Sequence, residues 1–379
     1  MEAVFILSLL LIIYVYLGYP LIVSFLSRLR HNPVNKSARR PKVTILIAAF
    51  NEAKVIAATI DNKLTLDYPS GKLEIIVISD ESTDGTDEIV HSYADQGVRL
   101  IRQEPRAGKT SALNLAVPQA TGEIIVFSDA NSLYDGQALK KLVSNFGDKS
   151  VGYVSGKMIY TDVDGTTNGD GCSAYMKYEN VLRAAESDLG SIVGVDGGID
   201  AMRKKLYRSM NADQLPDFVQ PLMVVEQGYR VVYEPKAILK ESSLDNAADE
   251  YRMRVRVSLR AMWALYDMRH LLSFRNKSLF SWQLWSHKVL RYLCFIPLLS
   301  VFLSNLFLLG TNMFFTLFLG LQVCAYTVAF SPSLFEGRGV FSKIVTFIRY
   351  FVLLNVATAH AFLKFMLRQK QVIWTPRKG

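Results

Sequence analysis

The stretch "EIIVFSDANS", Glu123 to Ser132, decides how this chain folds. Ile124, Ile125, Val126 and Phe127 make a short, continuous apolar run, β-branched and aromatic, which reads as a strand buried on both faces. The run passes straight into Ser128, Asp129, Ala130 and Asn131. An acid at such an exit can simply start a turn, because its side chain bonds nearby backbone amides. It can also mark the carboxyl end of a parallel strand, where open α/β sheets bind ligands. The surrounding sequence separates the two readings.

Upstream, "KVTILIAAFNE" predicts a strand from about Val43 that ends in Asn51 and Glu52, followed by the helical pattern "AKVIAATIDNKL". "KLEIIVISDESTDGT" predicts a second strand from about Leu73 into Ser79 and Asp80. "DEIVHSYADQ" reads as helix, "VRLIRQE" as a short third strand and "GKTSALNLAVPQA" as helix, so the opening stretch is the fourth strand. Apolar runs alternating with helices imply an α/β fold with a mainly parallel, doubly wound sheet. Each strand ends in a polar cluster: Asn51-Glu52, Asp80-Glu81-Ser82, Arg106 to Lys109, and Asp129-Ala130-Asn131. In a parallel sheet these ends share one edge and converge on one crevice, which makes Asp129 part of a site rather than a lone turn former. Two nucleotide motifs are absent. No GxGxxG follows the first strand, and "RAGKT" lacks the leading glycine spacing of a P-loop.

The flanks carry a different signal. The chain of 379 residues is 50% hydrophobic, unevenly so. "VFILSLLLIIYVYLGYPLIVSFL", Val4 to Leu26, has no charge and exceeds the roughly 20 residues needed to span a bilayer. It is too long, without a basic start or a small-residue cleavage site, for a signal peptide, and reads as a retained anchor. "FIPLLSVFLSNLFLLG" (Phe295 to Gly310), "MFFTLFLGLQVCAYTVAF" (Met313 to Phe330) and "IVTFIRYFVLLNVATAHAFL" (Ile344 to Leu363) are further candidate spans. Arg349 in the last of them must snorkel or face protein. The net charge of +9 does not imply nucleic acid, because its basic residues cluster behind the first span: Arg28, Arg30, Lys36, Arg39, Arg40 and Lys42. That placement predicts a cytoplasmic central domain at the plasma (inner) membrane and contact with anionic membrane lipid. An anchor plus three later spans puts the C-terminus outside, whereas the basic tail "LRQKQVIWTPRKG" favours the inside; a re-entrant or interfacial segment would reconcile the two. Cys172, Cys294 and Cys324 show neither metal spacing nor a disulfide framework.

The sequence resembles the family 2 glycosyltransferases, membrane-associated inverting enzymes with a GT-A fold, among them the cellulose and hyaluronan synthase-like group. The residues that carry the resemblance are "AAFNE" (Ala48 to Glu52), "SDESTDGT" (Ser79 to Thr86), "RAGKTSALN" (Arg106 to Asn114), "SDANS" (Ser128 to Ser132), "GGIDAMRKKLY" (Gly197 to Tyr207), "LPDF" (Leu215 to Phe218) and "EQGYRVVYEP" (Glu226 to Pro235). Each is weak alone; together, in the family's order, they are specific. The resemblance implies that Asp80 binds the base of a sugar nucleotide, with Ala49, Phe50 and Glu52 lining the same pocket. Lys109 would approach the donor phosphates, and Gly197 and Gly198 would let backbone approach the donor sugar. Asp129 and Asn131 stand where the family has Asp-x-Asp and would hold a divalent metal, Mg²⁺ or Mn²⁺, on the diphosphate. Asn131 departs from that pattern by one charge. Asp217 matches the family's catalytic base, although Pro216 replaces the preceding Glu; the rival reading is a helix N-cap. Asp80 has a rival of its own, an Asx turn into "STDGT". The Gln-x-x-Arg-Trp motif of processive members is missing. In its place "EYRMRVRVSLRAMW", Glu250 to Trp263, is a strand by alternation, or a helix with Arg252, Arg256 and Arg260 on one face, Arg256 then approaching diphosphate or lipid headgroups.

The expected organisation is a transmembrane helix at 1–27, a basic juxtamembrane segment at 28–42, and a GT-A domain at 43–240. An amphipathic region at 241–287, about three transmembrane helices at 288–366 and a basic tail at 367–379 follow. The expected activity is transfer from a nucleotide-sugar donor, UDP-linked, to a saccharide or lipid-linked acceptor in polysaccharide or glycoconjugate synthesis, alongside other assembly proteins. A polyprenyl-phosphate glycosyltransferase and a catalytically silent nucleotide-sugar-binding subunit are the alternatives.

Overall fold

A computed structural model describes residues 1–161, 171–242, 247–331 and 340–372. The chain divides into two compact units. One comprises Met1–Leu29, Asn168–Leu182 and Leu244–Gln369; the other comprises Arg30–Thr167, Arg183–Ser243 and Lys370–Gly379.

The second unit is an α/β domain. Its eight strands are β1 (Val43–Ala49), β2 (Leu73–Ser79), β3 (Val98–Arg102), β4 (Ile124–Asp129), β5 (Leu133–Tyr134), β6 (Val151–Thr161), β7 (Asp200–Arg203) and β8 (Arg230–Ser242). They form one sheet in the order β3-β2-β1-β4-β7-β6-β8-β5. The sheet is parallel across β3-β2-β1-β4, as the apolar runs require. Beyond β4 it becomes mixed: β7 runs antiparallel to both β4 and β6, while β6 and β8 are parallel. Every residue of β1 is buried, so both sheet faces are covered and the β-branched "VTILI" run needs no polar alternation. Parallel pairing in near-perfect register brings Ala49 beside Ser79 and Ala48 beside Asp129. The polar exits of β1, β2 and β4 therefore lie on one edge. Gly85, at φ +94°, and Gly108, at φ +89°, open the helices Thr86–His91 and Lys109–Ala116 from backbone conformations that a side chain would strain.

The first unit is helical. Three of its helices, Glu2–Leu29, Met313–Phe330 and Ser342–Met366, are long and apolar enough to cross a membrane. A fourth candidate is bent: Lys277–Tyr292 and Phe295–Phe307 meet at 55°. Phe5 is 1% exposed and packs with Val301, Leu308 and Phe315, its ring edge-on to Phe315 at 5.2 Å and Phe318 at 5.3 Å. "YRMRVRV" belongs to the helix Ala247–Asp267, where Val255, Leu259 and Met262 pack on Ala357 and Ala361. Arg349 faces protein rather than lipid, donating to the carbonyls of Val328 and Ser331. A buried ion cluster also lies in this unit: Glu179, 2% exposed, accepts from Arg291 and sits 3.1 Å from the ring of His287. Cys294 is buried and Cys324 exposed, both free. The last seven positions of the basic tail, 373–379, lie outside the described residues.

Candidate active site

The crevice at the strand ends is organised by one cation. Lys109, the first residue of its helix, donates to Asp129 Oδ1 at 2.6 Å, and Asp217 Oδ1 lies 3.8 Å from the same ammonium. Burial alone would lower Lys109, but the carboxylates of Asp129, Asp217 and Asp200 outweigh it and hold the ammonium above its usual range. Asp129 and Asp217 remain 37% and 30% exposed, so both face the opening.

The two glycines of "GGID" bring a third chain segment against these acids. Gly197 and Gly198 have φ of +75° and +70°. A Cβ on Gly197 would sit 2.9 Å from Asp217 Oδ2, and one on Gly198 would sit 3.1 Å from Ser132 Oγ and 3.4 Å from Asp129 Oδ2. A side chain at Gly197 would displace the Asp217 carboxylate, and one at Gly198 would crowd Leu239 and Ser132. Asp217 lies in the first turn of the helix Pro216–Glu226, whose N-cap is Leu215. Asp217 is thus not the cap, and its carboxylate is directed to the pocket shared with Lys109.

Asp80 is placed differently. It is 1% exposed and lies behind the loop from Gln103 to Gly108. The amides of Ala107 and Gly108 donate to it at 2.9 and 3.0 Å, Gln103 Nε2 adds a further bond, and Arg106 Nε stands 3.6 Å away. The turn after it closes without it, through Ser82 N donating to Ser79 Oγ. Ala49 is buried, its carbonyl accepting from Asp80 N at 2.9 Å. The Arg106 guanidinium covers the Phe50 ring at 3.4 Å, and Glu52 N donates to Thr86 Oγ1 at 2.9 Å. Arg256 belongs to the helical unit, half-buried on the helix Ala247–Asp267.

Among the described residues, no group of three or more His, Cys, Asp or Glu gathers to hold a metal ion. The protein's contribution would be the Asp129 carboxylate and the Asn131 amide oxygen, the Asn131 nitrogen being turned to Glu241 Oε1 at 3.3 Å. Two hard oxygens fit a divalent ion that takes most of its shell from diphosphate and water. Rigidity at this turn comes from the helix Ile56–Leu64. Thr59 Oγ1 donates to the Ala130 carbonyl at 2.6 Å, Lys63 to that of Ser132 and Asn62 Nδ2 to that of Tyr134 at 2.9 Å. The residue types alone pointed to none of these three. Nor did they point to Asp200 and Gln220, which line the pocket with Lys109 and Asp217. An acid between Ile199 and Ala201, at the start of β7, was the available signal for Asp200.

With this geometry in place, the comparisons with known proteins are specific. The model of the glycosyl transferase family 2 matches residues 44–210. The chain thus carries a family 2 glycosyltransferase domain, in a mixed α/β fold of the GT-A kind. A β-monoglucosyldiacylglycerol synthase from Nostoc sp. is 30% identical over 187 residues, which is 48% of this chain and 40% of that protein. A poly-β-1,6-N-acetyl-D-glucosamine synthase from Staphylococcus epidermidis is 23% identical over 283 residues, 70% of this chain and 68% of that one. In structure, a mannosyltransferase from Pyrobaculum calidifontis, solved with GDP-Man and Mn²⁺, superposes over 97% of this chain and 99% of its own, with a TM-score of 0.75 at 21% identity.

Proposed function

We propose that the protein is a membrane-anchored inverting glycosyltransferase that moves a sugar from a UDP-linked donor to a saccharide or lipid-linked acceptor at the cytoplasmic face of the inner membrane. One observation carries this reading: Lys109 and Asp129, within the residues matched by the family 2 model, meet Asp217, just beyond them, at the carboxyl edge of the sheet. Asp217 takes the proton of an acceptor hydroxyl as its oxygen bonds to the anomeric carbon; the bond to the diphosphate breaks on the opposite face, which inverts the centre. Lys109 stabilises negative charge gathering on the departing diphosphate. A divalent ion held by Asp129 and Asn131 would supply further electrostatic stabilisation of that leaving group. Asp80 acts here by fixing the Arg106–Gly108 loop against the nucleotide, and Arg106 over Phe50 gives that pocket a planar cationic wall. Ala49 and Glu52 border it, and Gly197 and Gly198 keep the floor low. Arg256 is assigned to headgroup contact.

The path of the tail bears on sidedness. Lys370 pairs with Asp213 at 2.5 Å, and a Cβ on Gly108 would lie 3.1 Å from the Val372 carbonyl oxygen, so these residues pack on the catalytic unit. An even number of crossings must then separate domain and tail. That favours Met313–Phe330 and Ser342–Met366 as the crossings and the bent pair as a re-entrant or interfacial segment, in place of three C-terminal spans.

The test is turnover of radiolabelled UDP-sugars by membranes containing the protein, with Mn²⁺ or EDTA, for wild type and Asp217→Asn. Metal-dependent transfer lost in the variant is the expected result. Transfer that survives the substitution points to a phosphate acceptor, which needs no base; absence of any transfer points to a silent subunit.

A further inference from the structure

The chemistry above uses Lys109, Asp129 and Asp217, yet the pocket they border has a second polar wall. Asp200, on β7, and Gln220, on the helix Pro216–Glu226, line it together with Phe127, Tyr153 and Pro216. Both are 1% exposed. Asp200 Oδ1 and Gln220 Oε1 have no hydrogen-bond partner among the described residues. Their remaining polar atoms are engaged: Gln220 Nε2 donates to the Arg208 carbonyl, and Asp200 bonds the side chains of Ser155 and Tyr153. Buried acceptors in folded proteins are almost always satisfied by protein or by ordered water, so two on one wall call for a donor from outside the chain, a water that a ligand's hydroxyl can displace.

Their placement follows from local geometry. Gln220 stands three residues after Asp217 and shares its side of the helix. Asp200 follows Gly198 by two residues, in register with Phe127 on one side and Ser155 on the other. The acceptors therefore sit deeper than the catalytic carboxylates, on the same pocket. A phosphate or carboxylate oxygen brings no hydrogen and would be repelled. A metal ion would need water or phosphate oxygens to complete its shell, and a pocket this small, walled by Phe127, Tyr153 and Pro216, has no room for them. What remains is a small neutral donor, of which the O–H group is the commonest on a sugar, with Phe127, Tyr153 and Pro216 as apolar walls around it. The pocket is too narrow for a whole pyranose ring but accepts a substituent of one.

We propose that Asp200 and Gln220 form a hydroxyl-recognition subsite beside Asp217, which takes a hydroxyl or hydroxymethyl group of a pyranose, either the sugar being transferred or a saccharide acceptor. The proposal rests on the glycosyltransferase reading. Burial, with the neighbouring carboxylates of Asp217 and Asp196, pushes Asp200 up to about 7, so near neutrality much of it is uncharged and suited to a neutral partner.

The experiment uses the full chain in detergent micelles. UDP-glucose, UDP-N-acetylglucosamine and GDP-mannose are screened, and the one turned over is compared with its 3-, 4- and 6-deoxy analogues. Wild type is measured beside Asp200→Ala and Gln220→Met, the latter preserving length should the former fail to fold. A second arm repeats the comparison with deoxy analogues of a β-linked disaccharide primer. Loss of the recognised hydroxyl should lower kcat/KM roughly 10- to 100-fold in wild type and no more than about threefold in either variant. Such coupling in the donor arm assigns the subsite to the transferred sugar, and in the primer arm to the acceptor. Turnover with equal deoxy penalties in all three proteins overturns the subsite and leaves the glycosyltransferase standing. Failure of wild type to use any nucleotide sugar overturns both.

Discussion

Replacing Asp200 by Asn should change how stability depends on pH more than it changes stability itself. Asp200 is 1% exposed on β7, between two hydrogen-bonded strands. Burial dominates its environment, and Asp217 and Asp196 add like charge; the hydrogen bonds from Ser155 and Tyr153 offset part of this, and its ordinary value of 3.8 rises to about 7. The folded protein then holds this proton more tightly than the unfolded chain does. The stabilisation is fully present below about pH 4 and is lost as pH rises through 7. A displacement of roughly three pH units at about 1.4 kcal/mol each is worth about 4 kcal/mol across that window. Asn has the same shape and no proton to lose. Thermal unfolding in micelles, followed by tryptophan fluorescence from pH 5 to 8.5, reads the difference. The assay range covers about two of those three pH units, about 3 kcal/mol, so wild type should lose roughly 5–10 °C more of its Tm than the variant, at about 2–4 °C per kcal/mol. All other titrating groups are common to both proteins and cancel. Parallel Tm profiles for wild type and Asp200→Asn would refute the reasoning, because they would mean that Asp200 ionises as freely inside the fold as outside it.

Thr59→Val, an isosteric change, leaves the Ala130 carbonyl without its 2.6 Å donor; it should cost about 1–3 kcal/mol and raise the Mn²⁺ concentration for half-maximal transfer severalfold. Asp80→Asn removes the charge that the Ala107 and Gly108 amides bind, so trypsin should cut faster after Arg106 and UDP should bind several times more weakly. Gly152→Ala would put a Cβ within 2.6 Å of Val224 Cγ1 and 2.7 Å of both Leu206 Cδ1 and Tyr229 Cβ; overpacking of about 1–3 kcal/mol should lower the Tm without altering donor KM. A cysteine at Gln371 in a chain lacking its native cysteines should react with an impermeant maleimide only from the side that also labels the catalytic domain. Labelling from the opposite side would show an odd number of crossings.

The first half of the sheet was legible because a parallel strand buried on both faces has little choice of residues. "VTILIAA", "LEIIVIS" and "IIVFSD" announce themselves by composition, and β1, β2 and β4 begin within a residue or so of where those runs begin. The second half was not. β7 has four residues and two of them are charged, so no apolar run marks it. β6 and β8 pair through shifts between Val151 and Tyr153 and between Ser155 and Lys157, which scramble any simple pattern. "YRMRVRV" misleads in the other direction. Its strict alternation suits a strand, yet Val255, Leu259 and Met262 recur at helical spacing, and Ala357 and Ala361 are small enough to receive them. Alternation among arginines, which need not be buried, carried no weight against that.

The site divides the same way. Asp129, Asp217 and Lys109 could be named from the sequence because each stands in a polar cluster at a strand or helix end, and the structure brings the three side chains together. Asp80 was recognised as important, but its partners, Gln103 and Gly108, lie 23 and 28 residues further on and could not be read. Thr59, Asn62 and Lys63 look like the polar side of an ordinary amphipathic helix. They are required instead by the carbonyls of Ala130, Ser132 and Tyr134, which must be satisfied if the turn carrying Asp129 and Asn131 is to hold its shape away from water. Asp200 and Gln220 are a further step removed, since a hydroxyl absent from the chain altogether would complete them. Residues that stand in polar clusters at strand ends can thus be found by type. Those selected by another segment's backbone, or by a ligand's bystander groups, become visible only when the fold brings the missing half of each hydrogen bond into view.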